Sequence, residues 1–260
     1  MEKVLIVGGG KFGEKALSSA RNENYEIIII DKDSDCLCSQ YATETFLGVK
    51  ELINNIKKIE KGGVLFLNMD ITSTYDLVKF IDFKYIIPVV PEHLMAHLIK
   101  SFLKASSIEL EFNHEAYAHF LSKVNKDLLL SANKEEGIAC LSYAKKGEIC
   151  PENCIGPEDY CPNFNREKPI TITNYLKNLY GVEDLLKLKK NGSFSFYTIN
   201  ESKQLKAGLG GLLGEDVQRT FNFLQNYKEQ FLDNDLQLFI ATTCNCHGVI
   251  HFFKKNNFKI

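Results

Sequence analysis

Five of the eight cysteines fall in two short segments of the second half of the chain, and their spacing is typical of a metal site. The first segment is Cys150-Pro151-Glu152-Asn153-Cys154, followed closely by Cys161-Pro162, and the second is Cys244-Asn245-Cys246-His247. Thiolates bind iron–sulfur clusters, and thiolates together with imidazole bind zinc. These side chains are more numerous than the usual four ligand positions. The predicted metal ligands are Cys150, Cys154, Cys161, Cys244, Cys246 and His247.

The spacing of these residues indicates which metal suits them. Residues two apart in an extended segment project to the same side, so Cys244 and Cys246 can face one metal. A four-iron cluster takes four thiolates, and Cys-Pro steps recur at such sites. Structural zinc usually has paired Cys-x-x-Cys knuckles, which this sequence lacks. An iron–sulfur cluster is therefore favoured, and zinc and unmetallated, redox-paired thiols are the alternatives. Cys36, Cys38 and Cys140 lie outside the motif.

The first half of the chain carries a glycine loop between a strand pattern and a helix pattern. The apolar run Val4–Val7 leads into Gly-x-Gly-x-x-Gly, in which Gly8 would make the turn, Gly10 would admit a pyrophosphate and Gly13 would let helix pack on strand. The next buried-strand pattern ends in Asp31, which suits the ribose hydroxyls of NAD and disfavours NADP. Other adenine nucleotides and S-adenosylmethionine are the alternative ligands. The predicted cofactor-binding residues are Gly8, Gly9, Gly10, Lys11, Phe12, Gly13 and Asp31.

Alternating strand and helix patterns predict an α/β protein with two domains. Residues 1–125 are expected to form a Rossmann domain with a doubly wound parallel sheet, and residues 126–260 a smaller α+β domain with the cysteine site. In that second domain the apolar runs Leu236–Thr243 and Val249–Lys254 are expected to be adjacent strands joined through the cysteine segment. The glycine-rich stretch Gly208–Gly214 is expected to be a second turn before a helix, and its leucines favour packing over phosphate binding.

Bulk properties narrow the functional class and the surroundings of the protein. A formal net charge of −2 gives no general attraction for nucleic acid. No segment approaches the roughly 20 apolar residues of a membrane span, and the opening residues are too short for a signal peptide. We therefore expect a cytoplasmic protein whose thiols stay reduced. The expected partners are a nucleotide ligand and a redox protein.

Two resemblances accompany this interpretation. The stretch Val4–Gly13 resembles the opening of the TrkA-type, or RCK, regulatory domains of potassium transporters, which bind NAD or other nucleotides and commonly pair as dimers. It also resembles the Gly-Gly-Gly start of the precorrin-2 dehydrogenase of sirohaem synthesis. Nearly the whole chain is similar to uncharacterised TrkA-like proteins of anaerobic bacteria, which join this loop to Cys-Pro-x-x-Cys-x6-Cys and a terminal Cys-x-Cys-His-Gly. That resemblance implies the same two-part architecture and no established reaction.

The combined prediction is an NAD(H)-binding redox protein. NADH delivers two electrons as a hydride, whereas an iron–sulfur cluster accepts one electron at a time. The enzyme hypothesis is a small oxidoreductase with a substrate or partner between the two sites and with Cys246 or His247 near the chemistry. The sequence shows no recognisable catalytic dyad. The alternative is a non-enzymatic sensor of nucleotide and of redox state or metal, and a third hypothesis is a zinc ion that only stabilises the second domain.

Overall fold

The computed structural model describes residues 2–56, 62–190 and 193–256, and it divides into two compact units. The N-terminal unit comprises Met1–Leu94 and Leu209–Gln218, and the C-terminal unit comprises Met95–Gly208 and Arg219–Ile260. Both units combine helices with sheet, so the predicted α/β class is confirmed. No helix within the described ranges has the length and apolar character needed to cross a membrane.

The N-terminal unit is built on a mostly parallel sheet. Its elements, numbered along the whole chain, are β1 (Lys3–Val7), α1 (Lys11–Asn22), β2 (Glu26–Asp31), β3 (Glu44–Phe46), α2 (Val49–Asn55), β4 (Val64–Asn68), α3 (Thr74–Phe80), β5 (Tyr85–Pro88) and β13 (Leu209–Leu213). The strands are hydrogen-bonded in the order β3-β4-β2-β1-β5-β13. All neighbours run parallel except β13, which is antiparallel to β5.

The composition of β1, β2 and α1 explains the centre of this unit. The run Ile27–Ile30 in β2 is fully buried, as expected for a parallel strand covered on both faces. Helix α1 buries small and apolar residues at helical spacing, among them Ala16, Leu17 and Ala20. Val7 of β1 pairs with Ile30 of β2. Because the two strands are parallel, the glycine loop and Asp31 follow them side by side at one edge of the sheet.

The C-terminal unit has a mixed sheet covered by helices. Its elements are α4 (Leu94–Ala105), β6 (Leu110–Phe112), α5 (His114–Lys123), β7 (Leu129–Asn133), β8 (Ile138–Ser142), β9 (Tyr160–Cys161), β10 (Arg166–Glu167), α6 (Ile172–Tyr180), β11 (Leu186–Lys190), β12 (Phe194–Lys206), α7 (Gly214–Asp233, of which Arg219–Asp233 belong to this unit), β14 (Leu236–Thr243) and β15 (His247–Lys255). The main strand order is β12-β14-β15-β8-β7. Strand β11 pairs with β12, β6 pairs with β15, and β9 and β10 form a separate small hairpin.

Helix α6 fixes one face of this sheet close to the cysteine segments. The Thr171 hydroxyl accepts a hydrogen bond from Asn174 N at 3.1 Å, and the helix ends at Gly181, whose φ of 60° is left-handed. Threonine at the start of a helix and glycine at its end are typical capping residues. Ile172 and Leu176 on this helix are fully buried and share one apolar cluster with α5 and with the aromatic side chains of β14 and β15. The end of the β14–β15 pair therefore rests on a rigid core.

The glycine-rich stretch before α7 is a strand, so the prediction of a turn there is wrong. Leu209–Leu213 forms β13, and Leu212 pairs with Ile86 of β5. Leu209 and Leu212 are both buried, which shows that the leucines of this stretch belong to the core. Their cross-strand pairing and burial decide the conformation more strongly than the flanking glycines do.

The division between the units falls at residue 94, whereas the sequence suggests a boundary near residue 125. Helix α5 and strand β6 account for the difference, because β6 pairs with β15 and Asn113 N donates to Phe252 O at 3.0 Å. Residues 95–125 thus contribute to the sheet of the C-terminal unit. A sequence pattern of strand and helix does not show which sheet the strand joins.

Gly214, at the start of α7, is expected to tolerate no side chain. A Cβ atom at this position would lie 1.7 Å from the carbonyl oxygen of Phe83. The obstructing atom is backbone, so we expect Gly214→Ala to lower the free energy of unfolding by about 1–3 kcal/mol, measured by urea denaturation. Gly48→Ala is the control, because none of the described residues has an atom within 4 Å of its Cβ position. Equal stability of Gly214→Ala and the unmodified chain would contradict the packing described.

Candidate functional site

The glycine loop after β1 requires glycine at two of its positions. Gly8 has a left-handed φ of 110°, and its N–H donates to Ile30 O at 2.9 Å. A Cβ on Gly13 would lie 2.3 Å from Gly8 O, so only glycine lets α1 approach the strand this closely. These are the turn and packing roles that the Gly-x-Gly-x-x-Gly pattern predicts for the two residues.

The middle of the loop is open to solvent. Gly10 is exposed, and within the described part of the chain no atom lies within 4 Å of its Cβ position. Lys11 begins α1 and is exposed, and Phe12 is 46% exposed. The first-turn amides of a helix point towards its N-terminus and attract anions there. An open surface beside a helix N-terminus is an arrangement that binds phosphate groups.

Asp31 ties the end of β2 to this loop. Its Oδ2 accepts a hydrogen bond from Gly9 N at 2.6 Å, and its Oδ1 accepts one from Asp33 N at 2.9 Å. A carboxylate has about four lone-pair sites, so these two bonds leave acceptor capacity for further donors. Asp31 therefore shapes the glycine loop and still presents a negative group beside it.

Cys36 and Cys38, which lie outside the metal motif, support the glycine loop. Cys36 Sγ occupies the space in front of Gly9, 2.3 Å from where a Cβ would stand, and Cys38 N donates to Gly9 O at 2.9 Å. Burial raises the pKa of the Cys36 thiol and raises that of Cys38 to about 12. Both side chains are therefore neutral packing groups at neutral pH. A contact of this kind leaves no signature in the sequence.

The second candidate site lies at the end of the β14–β15 hairpin. Cys244 N donates to His247 O at 2.8 Å, which closes a tight turn, and the predicted position of this segment between two adjacent strands is confirmed. The loop with the other cysteines docks on this turn. Tyr143 N donates to Cys246 O at 3.1 Å, and Asn245 Nδ2 donates to Gly156 O at 2.9 Å.

His247 lies between two thiols. Its Nε2 is 3.5 Å from Cys150 Sγ, and its Nδ1 is 3.8 Å from Cys244 Sγ. Two ligands that share a tetrahedral zinc ion lie about 3.5 Å apart, given bonds of about 2.3 Å to sulfur and 2.0 Å to nitrogen. Burial, and then the nearby Lys168 ammonium, lower the pKa of His247. The imidazole is therefore neutral at neutral pH, which is the form that binds metals.

Two of the sulfur atoms accept hydrogen bonds from nitrogen donors. Cys154 Sγ accepts hydrogen bonds from Gly156 N at 3.4 Å and from Asn163 Nδ2 at 3.6 Å. Cys246 Sγ lies 3.1 Å from the ammonium nitrogen of Lys168. Hydrogen bonds to sulfur stabilise its negative charge and are typical outer-shell contacts of thiolate ligands.

All five predicted cysteine ligands are brought together. Burial raises the pKa of Cys150, and the charges of the other four thiols raise it further; they are Cys154, Cys161, Cys246 and Cys244. Burial is also the main cause that raises the pKa of Cys244. None of the cysteines forms a disulfide. Thiolates in such a group repel one another, and a bound cation would remove this repulsion.

The side chains do not form a closed coordination sphere. Among the residues that the structure describes, no three of the histidine, cysteine and acidic side chains are arranged to hold one metal ion. The contacts at His247 join it to one thiol on each side of the ring. Binding of one metal by several of these residues would therefore require rotation of cysteine side chains. Three of the cysteines, Cys150, Cys154 and Cys161, lie on the loop that precedes α6. The donor set fits a soft metal by its chemistry, since it offers five thiols and a neutral imidazole.

Lys168 is the residue of this site that sequence reasoning missed. It is 3% exposed, although Arg166–Pro169 has the composition of a surface loop. Its neighbour Arg166 pairs with Glu148 through two hydrogen bonds of 2.9 and 2.8 Å, and this pairing lowers the pKa of Glu148 to about 2. Arg166 also donates to Tyr143 O. The ion pair therefore anchors the two ends of the cysteine loop to each other.

Comparisons with known proteins agree with the division into two parts. A family model described as "Uncharacterized protein, C-terminal domain" matches residues 94–256, and a second one, described as "Uncharacterized protein, N-terminal domain", matches residues 3–94. A relative described as "Uncharacterized protein" from Archaeoglobus fulgidus is 27% identical over 255 residues, which cover 96% of this chain and 99% of the relative. The two models meet at the residue where the compact units divide.

Proposed function

The chain belongs to this family of uncharacterized proteins with an N-terminal and a C-terminal domain, and we propose that it is an NAD(H)-binding redox protein with a cysteine-ligated metal centre. The proposed centre is an iron–sulfur cluster, and zinc is the alternative. The observation that carries the proposal is the convergence of five thiols and His247 from two distant segments, with nitrogen donors at two of the sulfurs.

For the N-terminal unit we propose a Rossmann-type nucleotide site. Support comes from the position of β1 between β2 and β5, because the chain reverses its direction along the sheet at this point and ligands bind at such a reversal. The loop that follows β1 has the required glycines, and Asp31 stands at the end of β2. In the proposed complex the open face at Gly10 receives the pyrophosphate and Asp31 accepts hydrogen bonds from the ribose.

In the C-terminal unit the proposed ligands are the five thiols and His247, of which four would be used. The bound metal centre supplies one-electron chemistry if it is an iron–sulfur cluster, and it supplies structure if it is zinc. Gly156 N and Asn163 Nδ2 orient Cys154 through hydrogen bonds. The core beneath α6 holds the Cys244–His247 turn in place, with Cys246 buried and His247 exposed to solvent.

The proposal is tested by metal and sulfide analysis of the full chain purified without oxygen. We expect iron and acid-labile sulfide, with broad absorption at roughly 400 nm from thiolate-bound clusters. A colourless protein with zinc would establish the structural alternative. A protein that retains neither iron nor zinc after reconstitution would refute the metal centre.

The role of the nucleotide is decided by a second measurement on the same preparation. Steady oxidation of NADH with an artificial electron acceptor would identify an oxidoreductase. Tight binding of NAD or NADH without turnover would instead identify a nucleotide-dependent sensor, the regulatory alternative that the TrkA-like start of the chain suggests. Absence of binding would remove NAD from the proposal and leave the metal centre to be judged separately.

A further inference from the structure

Lys168 is a buried cation whose polar contact is a sulfur atom. The residue is 3% exposed, its Nζ lies 3.1 Å from Cys246 Sγ, and Cys246 is also buried. Within the described part of the chain, Lys168 forms an ion pair with no carboxylate. Removing an ammonium group from water is strongly unfavourable unless an anion accompanies it. Cys246 Sγ is the polar atom placed to carry a compensating negative charge.

Other charged groups beside the site do not compensate Lys168. The carboxylate of Glu148 is already paired with Arg166 through two hydrogen bonds. The backbone contact Lys168 N to Asp159 O at 2.7 Å places the start of the side chain and leaves its ammonium directed to Cys246.

We infer that Lys168 is the counter-charge of the metal centre, held against Cys246 to balance the negative charge of the metal–thiolate group. The inference rests on the proposed function. Four thiolates around zinc, or around an oxidised four-iron cluster, leave a net charge of about −2. One-electron reduction of the cluster adds another negative charge. A fixed ammonium beside the sulfur stabilises this group and stabilises its reduced form most. Lys168 thus holds the metal and raises the reduction potential without being a ligand.

The test compares variants of the full chain after anaerobic reconstitution. Lys168→Met removes the charge, Lys168→Arg keeps it, and Lys146→Met removes an exposed lysine near the same loop as the control. For Lys168→Met we expect a more negative reduction potential and release of metal to a chelator roughly 10- to 100-fold faster, the usual effect of losing an outer-shell partner. Lys168→Arg and Lys146→Met should stay near the unmodified protein. If the centre is zinc, which is not redox-active, only the rate of metal release to the chelator is compared.

The outcomes separate this inference from the proposal beneath it. An unmodified protein without iron or zinc refutes the metal centre, and the inference fails with it. If the unmodified protein holds metal and Lys168→Met has the same potential and release rate, Lys168 is not the counter-charge and the metal centre stands. Loss of metal in both Lys168 variants would show that the size of the side chain matters and not its charge, and this result would overturn the inference. Loss in Lys168→Met with retention in Lys168→Arg would support it.

Discussion

Replacement of Cys154 and Cys244 by serine is expected to abolish the proposed iron–sulfur cluster. The double variant removes one thiol from each segment of the site and leaves three cysteines, one fewer than the four thiolates of a four-iron cluster, together with His247. A serine hydroxyl is a poor ligand for soft metals, and Cys154 is the sulfur that receives two N–H donors. Loss of an outer-shell partner already costs roughly 10- to 100-fold in metal affinity, so we expect loss of two ligands to lower bound metal by more than tenfold.

The chain contains a matched control for this experiment. Cys36 and Cys140 lie outside the site, one in each unit, so Cys36→Ser with Cys140→Ser changes the same number of thiols. Iron, zinc and acid-labile sulfide are measured in both double variants after identical anaerobic purification. Circular dichroism reports whether each chain is folded. If the Cys154/Cys244 variant is folded and binds as much iron and acid-labile sulfide as the control, the cysteines do not form the proposed four-thiolate cluster.

The local features of the N-terminal unit could be predicted from sequence because they depend on neighbouring residues. A parallel strand buried on both faces is a continuous apolar run, and Ile27–Ile30 is such a run. Gly8 occupies a left-handed conformation that favours glycine, which explains why the pattern marks the turn. The pairing of β13 with β5 joins residues far apart in the chain, and no local pattern specifies that partner.

The cysteine site could be predicted in composition but not in detail. The apolar runs on both sides of Cys244–His247 indicate two adjacent strands, and the structure pairs them antiparallel across a short connection. Lys168 was missed because its burial is a tertiary effect of the cysteine loop folding onto the hairpin. The hairpin of β9 and β10 inside that loop was also missed, since strands of two residues carry no periodicity. Side-chain orientation within the site likewise depends on tertiary contacts.

Alanine at Gly10 is expected to weaken NAD binding by about tenfold or more without unfolding the protein. No atom of the residues that the structure describes lies within 4 Å of the Cβ position, and the backbone φ of −77° suits any residue. A methyl group there would therefore conflict only with a bound ligand. It would hold the pyrophosphate away from the loop amides and so weaken their hydrogen bonds to it. A hydrogen bond to a charged group contributes about 1.5–3 kcal/mol, and a loss of about 1.4 kcal/mol lowers the affinity tenfold.

Gly48→Ala is the matched control for the substitution at Gly10. Gly48 also precedes a helix, α2, at the N-cap position, and its Cβ position is equally open. Any general cost of alanine at an N-cap is therefore shared by the two variants. NAD affinity is measured by calorimetry and stability by urea denaturation. Equal affinities in the two variants, both folded, would show that the nucleotide does not approach Gly10, and the Rossmann-type binding mode would have to be abandoned for this loop. A selective loss at Gly10 would support that binding mode, since the methyl group can obstruct only a ligand that reaches the loop backbone.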